Sequence, residues 1–315
     1  GFSMEDTSCT GTGGKKDFLS RIFACGCQPG DAPDLLTEKF REEANNQPNS
    51  AVSHYNLGST LQERGKTAEA IICYNSAIAL NPKYAEAYYN LGSAYQECKE
   101  PVKARAAYEK AIEISPQYAL AHYNLGYIKQ DSGDFSGATE SFKAAVKHDP
   151  LDVDSHINLG NLYRDGGDST EAIRSYRSAV EVDYDNVMGH YNLASALQDM
   201  GEVDEAITNF TRALELDPTY VDAHFNLGIA FQDKGRYEDS HRCYANAVKL
   251  EPDFKEAKDA MRALRRVLEK RKDSKGRTGE KENEKRVERA EKKKGGQQDL
   301  GREAGLRAFG RVVGN

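Results

Sequence analysis

The chain has 315 residues, enough for two average domains or one extended array, and 38% hydrophobic with 30% charged residues suits a soluble helical protein with modest cores. No run of about 18 apolar residues occurs, which excludes a transmembrane helix, and no apolar signal core follows the N-terminus. The net charge of −7 is unevenly spread: residues 1–50 carry −3, residues 51–254 carry −13 and residues 255–315 carry +9.

In chain order, residues 1–32 read as a disordered leader, and Gly1-Phe2-Ser3 ahead of Met4 reads as a remnant. Gly11-Thr12-Gly13-Gly14-Lys15-Lys16 is not a phosphate loop, because Cys9 stands where the first Gly belongs and Lys16 where Ser or Thr must meet magnesium. Cys25 and Cys27 follow a basic, aromatic stretch; lipid anchoring there is the minor reading beside a disordered leader. Six cysteines without metal-type spacing indicate reduced thiols, so an intracellular protein, cytoplasmic or nuclear, is expected. Residues 33–50 read as an N-terminal cap with a lone helix over about 33–45.

An internal repeat then dominates. Asn-Leu-Gly begins at Asn56, Asn90, Asn124, Asn158 and Asn226, and Asn-Leu-Ala at Asn192, always 34 residues apart. This defines six units, 51–84, 85–118, 119–152, 153–186, 187–220 and 221–254. Position twenty-four is always Tyr or Phe and position twenty-seven always Ala. Position fifteen is Gly in five units and position thirty-two Pro in five. The spacing predicts a helix A over positions three to fourteen, a Gly-ended turn, and a helix B over eighteen to thirty stopped before Pro. Small residues at eight, twenty and twenty-seven allow close helix approach, and the aromatic at twenty-four fills the adjoining space. Residues 255–272 read as a C-terminal cap helix and 273–315 as a basic disordered tail.

These residues resemble the tetratricopeptide repeat, a helix–turn–helix unit of 34 residues. The resemblance implies an all-α fold, a right-handed superhelical solenoid of six tandem repeats whose A helices line an inner groove. Positions five, six, twelve and thirteen share one face of helix A. Position six is Asn throughout: Asn56, Asn90, Asn124, Asn158, Asn192 and Asn226. Position twelve includes Gln96, Gln130, Arg164 and Gln198; position thirteen includes Asp131, Asp165 and Asp199. An Asn amide can donate and accept together, so a column of them can hold an extended peptide backbone. The same column could instead bond neighbouring helices and set their spacing. The acidic position thirteen favours partners bearing Lys or Arg.

The chain is therefore expected to be a non-catalytic interaction module that binds a protein or peptide in its groove. No catalytic cluster, cofactor or metal site is expected. The alternative is the substrate-recruiting arm of an O-linked N-acetylglucosamine transferase, whose repeats the string Ala121-His122-Tyr123-Asn124-Leu125-Gly126 resembles; no room for a transferase domain follows the array. Binding of an anionic peptide tail is disfavoured, because positions one to ten of all six A helices lack Lys and Arg. The acidic face also disfavours nucleic acid, which only the tail could contact. His54, His122, His156, His190 and His224 recur at position four, too far apart to share a metal, and read as packing residues. Ile157, Asn161 and Arg164 set the fourth unit apart as a candidate specificity point.

Overall fold

The computed structural model describes residues 32–269; the leader with Cys25 and Cys27, Lys270-Arg271-Lys272 and the tail lie outside the described residues. The described residues contain helices and no strand. Helix α1 is Ala32–Asn46. Six helix pairs follow: α2 Ala51–Glu63 with α3 Thr67–Leu80, α4 Ala85–Glu97 with α5 Pro101–Ile114, and α6 Ala119–Asp131 with α7 Phe135–His148. Then come α8 Val153–Asp165 with α9 Ser169–Val182, α10 Val187–Asp199 with α11 Val203–Leu216, and α12 Val221–Asp233 with α13 Tyr237–Leu250. A last helix, α14, covers 255–269. The fold is an all-α array of tandem helix hairpins, as the spacing predicts, although each A helix begins at position one rather than three.

The described residues divide into two compact units, 32–155 and 156–269. In the first, Leu57, Leu61, Ala70, Tyr74, Leu91 and Ala94 form one core cluster with Ala44 of α1. Ala104, Tyr108, Ala111, Ala121 and Leu125 form the next. In the second unit Tyr176, Phe210 and Tyr244 are buried with the alanines at positions twenty and twenty-seven, Ala172, Ala179, Ala206, Ala213 and Ala247. Ala257 and Leu264 of α14 are buried, while Arg262, Arg265 and Arg266 face solvent.

The expected pairing of position eight with position twenty-four holds. A Cβ placed on Gly160 would stand 2.5 Å from Tyr176 Cε1, and one on Gly228 2.6 Å from Tyr244 Cε1. Glycine here is a matter of close approach, not of backbone freedom.

Position fifteen requires the opposite property. Gly167 has φ +82°, and the turn is closed by Gly167 N donating to Arg164 O (3.0 Å) and Asp168 N to Tyr163 O (2.8 Å). The second repeat makes the same turn with Lys99 at φ 58°. A left-handed residue with a Cβ costs about 1–2 kcal/mol, partly offset by glycine's greater freedom in the unfolded chain. Lys99→Gly is expected to stabilise the protein by about 1 kcal/mol, read as a higher urea midpoint at unchanged slope. An unchanged midpoint would refute a strain at Lys99.

Between repeats, helix B ends before Pro with an extended residue, such as Asn81 at φ −134°, ψ 92°. Asp183 takes nearly the same angles although Tyr184 replaces Pro in the fourth repeat. The turn therefore does not depend on Pro alone.

Candidate functional site

The position-four histidines help hold those turns. Nε2 of His54, His122 and His224 lies 2.9–3.0 Å from the carbonyl oxygens of Pro48, Pro116 and Pro218, six residues earlier. His190 does the same with Tyr184 O at 2.9 Å. These four are turn clamps rather than simple packing residues. His190 is buried, whereas His54, His122 and His224 are half-buried. Among the described residues no group of three or more His, Cys, Asp or Glu could hold a metal ion.

The Asn column is tied to its neighbours. Asn90 Nδ2 donates to Tyr55 Oη at 3.0 Å, Asn124 Nδ2 to Tyr89 Oη at 3.2 Å, and Asn226 Nδ2 to Tyr191 Oη at 3.0 Å. Each link joins position six of one A helix to position five of the A helix one repeat earlier. These amides are half-buried. Each spends an N–H on the neighbouring tyrosine, and its carbonyl oxygen is left over.

The position-five tyrosines are themselves fixed between two rings. Tyr55 lies 6.0 Å from Tyr74 and 5.0 Å from Tyr84, centroid to centroid. Tyr89 sits likewise between Tyr108 and Tyr118, and Tyr191 between Phe210 and Tyr220. The aromatics at position thirty-four (Tyr84, Tyr118, Tyr220 and Phe254) thus complete the scaffold, and sequence reasoning missed them. Their signal was the same 34-residue spacing. It is interrupted by Asp152 and Asn186. Burial raises the pKa of Tyr55 and Tyr89, partly offset by the hydrogen bonds from Asn90 and Asn124. Both phenols keep their protons at neutral pH and remain donors.

Position twelve is engaged unevenly. Tyr74 Oη donates to Gln62 Oε1 at 2.8 Å and Tyr244 Oη to Gln232 Oε1 at 3.3 Å; Tyr108 makes the same bond to Gln96. In the third and fifth repeats the ring is Phe142 or Phe210, so Gln130 and Gln198 receive no such bond. Gln62 also donates to Ser93 Oγ and to Glu97 Oε1, at 3.2 and 2.7 Å. Asp131, Asp165 and Asp199 at position thirteen are exposed.

The fourth repeat departs from this pattern in a correlated way. With Arg164 at position twelve, the Tyr176 hydroxyl turns to Asn161 Oδ1 at 2.7 Å. Burial pushes the Tyr176 phenol up to about 12, against the opposing pull of the nearby Arg164 charge. Among the described A helices only Lys129 and Arg164 are basic over positions one to thirteen. Lys129 Nζ is occupied within its own repeat by Ser141 Oγ at 3.0 Å and Gly137 O at 3.4 Å.

No described helix is long and apolar enough to cross a membrane. No curated protein matches the chain by sequence. Among solved structures the chain is similar to YrrB, described as a TPR protein with an unusual peptide-binding site, with a TM-score of 0.56 and 25% identity over 60% of this chain and 97% of that one. The likeness to Pseudomonas aeruginosa pilF has a TM-score of 0.56 at 16% identity, over 68% of this chain and 97% of that one. The APC/C hetero-tetramer Cut9–Hcn1 matches with a TM-score of 0.52 at 17% identity, over 74% of this chain but 46% of that one. These last two likenesses concern the fold alone. Models of the TPR repeat match residues 58–97, 160–201 and 199–235. Tetratricopeptide repeat models match 85–118, 107–140, 141–174 and 221–254. Matched repeat by repeat from 58 to 254, and folded as tandem helix hairpins, the chain belongs to the tetratricopeptide repeat family.

Proposed function

We propose that the chain is a non-catalytic protein-interaction module that holds an extended peptide along its A-helix face through the Asn column. The observation that carries this is the way the amides are held. Asn90, Asn124 and Asn226 are each fixed by one N–H, which leaves an oriented carbonyl oxygen and a second N–H for a peptide backbone. Fixing the donor groups beforehand lowers the ordering cost of binding. The exposed acids Asp131, Asp165 and Asp199 favour segments carrying Lys or Arg. YrrB, a repeat protein of similar fold with a peptide-binding site, supports the reading.

The test compares the full chain with the triple variant Asn158→Ala, Asn192→Ala, Asn226→Ala. The probes are degenerate Lys- and Arg-containing nonapeptide pools, followed by fluorescence anisotropy. Binding is expected to weaken by about tenfold or more, equivalent to about 1.4 kcal/mol, with helicity by circular dichroism retained. Unchanged affinity would hand the Asn column to helix spacing alone.

A further inference from the structure

The second position of helix A alternates between apolar and acidic residues. It is Val52, Glu86, Leu120 and Asp154 in the first four repeats, and Met188 and Asp222 in the last two. Val52 and Leu120 are 56% and 50% exposed, and Glu86 and Asp154 are exposed as well. Position two lies one turn before position six on the same helix face. The first four members belong to the first compact unit, and among the described residues neither acid is held in an ion pair. Burial, and to a smaller extent the charge of Glu86, raises the pKa of Tyr55 on the A helix before it and of Tyr118 just ahead of the A helix after it. Glu86 therefore stands beside both neighbouring rows of the column.

A column of this kind asks for a ligand with its own alternation. Packed helices lie about 8–10 Å apart, and an extended polyproline II chain presents the same side again every three residues, about 9 Å on. A segment running along the column needs a basic residue, a large apolar one and a second basic one at intervals of three. Outside the described residues this chain has that spacing once, at Lys15, Phe18 and Arg21, with the small apolar Ala24 three further on. Only one direction suits the connection to the fold. With Lys15 at Asp154, Phe18 at Leu120 and Arg21 at Glu86, Ala24 arrives at Val52 in the first repeat. Eight residues then lead to Ala32, the start of α1, whose Ala44 packs into the core of that repeat. Eight extended residues span about 26 Å, which covers one helix spacing and the length of an A helix, about 20 Å. In the opposite direction, the eleven residues from Arg21 to Ala32 would have to return past three repeats.

We infer that residues 15–24 dock along the position-two column of the same chain, with Phe18 covering Leu120 and Lys15 and Arg21 meeting the acids on either side. The apolar contact supplies attraction and the two charge pairs supply register, because a slip by one repeat sets each cation against an apolar side chain and Phe18 against a carboxylate. No Lys or Arg at positions one to ten of the A helices competes for those acids. The basic tail is no substitute, since none of its apolar residues lies three positions from a basic residue on both sides. A foreign segment must then displace the chain's own, which lowers its apparent affinity by the fraction of molecules that are open. The inference rests on the proposed function only in taking the A-helix face to hold an extended chain.

The test places the photo-crosslinker p-benzoylphenylalanine at position 18 of the full chain, in an equal mixture of isotopically light and heavy protein, and maps the crosslink by mass spectrometry. The crosslink is expected on α6 around Leu120 and within single chains. Arg21→Glu is expected to lower its yield about fivefold, and Arg21→Glu combined with Glu86→Arg to recover it. Glu86 is exposed, so the exchange leaves the helix packing intact. A crosslink elsewhere, one joining light to heavy chains, one indifferent to Arg21→Glu, or one that the double variant does not recover overturns the docking. The Lys- and Arg-containing pools give the second measurement. Phe18→Ser, which lies outside the helices, is expected to bind them about tenfold more tightly than the wild type. Pool binding that is equal in the two proteins overturns the docking and leaves the proposed function standing. The expected crosslink with no pool bound by either protein supports the docking and overturns the proposed function.

Discussion

Replacing Ala179 with Arg should unfold the fourth repeat. Ala179 is fully buried at position twenty-seven of helix α9, where the sequence keeps alanine in all six repeats. A guanidinium there would have to enter close-packed helices, losing its water without a partner. Overpacking alone costs about 1–3 kcal/mol, and an unpaired buried charge adds several more. The combined loss of about 4 kcal/mol or more is a large part of the stability of any ordinary domain. Because each repeat is stabilised by its neighbours, the loss should spread to the adjoining repeats of the second unit. The expected result is a helical signal at 222 nm that falls in two steps on heating, with an early phase absent from the wild type. A variant that melts like the wild type would show that position twenty-seven does not face the helix contact.

Gly92→Val is the second severe change. A Cβ on Gly92 would lie 2.7 Å from Cε1 and 2.8 Å from Cδ1 of Tyr108, whose ring is fully buried. Two effects of opposite sign compete. Removing glycine from a helix interior gains up to about 1 kcal/mol of propensity, less for a β-branched residue. Driving two methyl groups against a buried ring that cannot retreat costs about 3 kcal/mol. The clash wins, and a net loss of about 2–3 kcal/mol is expected in urea unfolding. The control is Gly65→Ala, whose Cβ would meet nothing within 4 Å but whose φ is +73°. Its loss should be about 1 kcal/mol and come from the backbone alone. Equal losses at the two sites would mean that the position-eight contact is not a tight one.

These two glycines show how much of the fold was legible in the sequence. Both recur with the 34-residue beat, and their neighbours tell them apart: Gly65 sits between two helical patterns and Gly92 within one. The helix hairpins and their closest contacts followed from that. The binding face was harder to read. Asn at position six is suited equally to a peptide and to a neighbouring helix, and its bond to tyrosine depends on a residue 35 positions away. The histidines were read as packing residues because their partner is a backbone carbonyl, which leaves no trace in side-chain patterns. The fourth repeat could be marked as different from Ile157, Asn161 and Arg164 alone. That Asn161 replaces glutamine as the acceptor for Tyr176 required the geometry.

The tyrosine–asparagine links have a consequence for how the chain comes to be folded. Each closes a loop of only 35 residues, as does the bond from Gln62 to Glu97. A chain wired in this way has no distant ends to bring together, so the entropy of loop closure stays small and folding is fast for its length. Any adjacent pair of repeats can serve as the nucleus, with the next repeat adding to an edge that is already formed. During synthesis, each repeat can dock on the one before it soon after it leaves the ribosome, without waiting for the C-terminus.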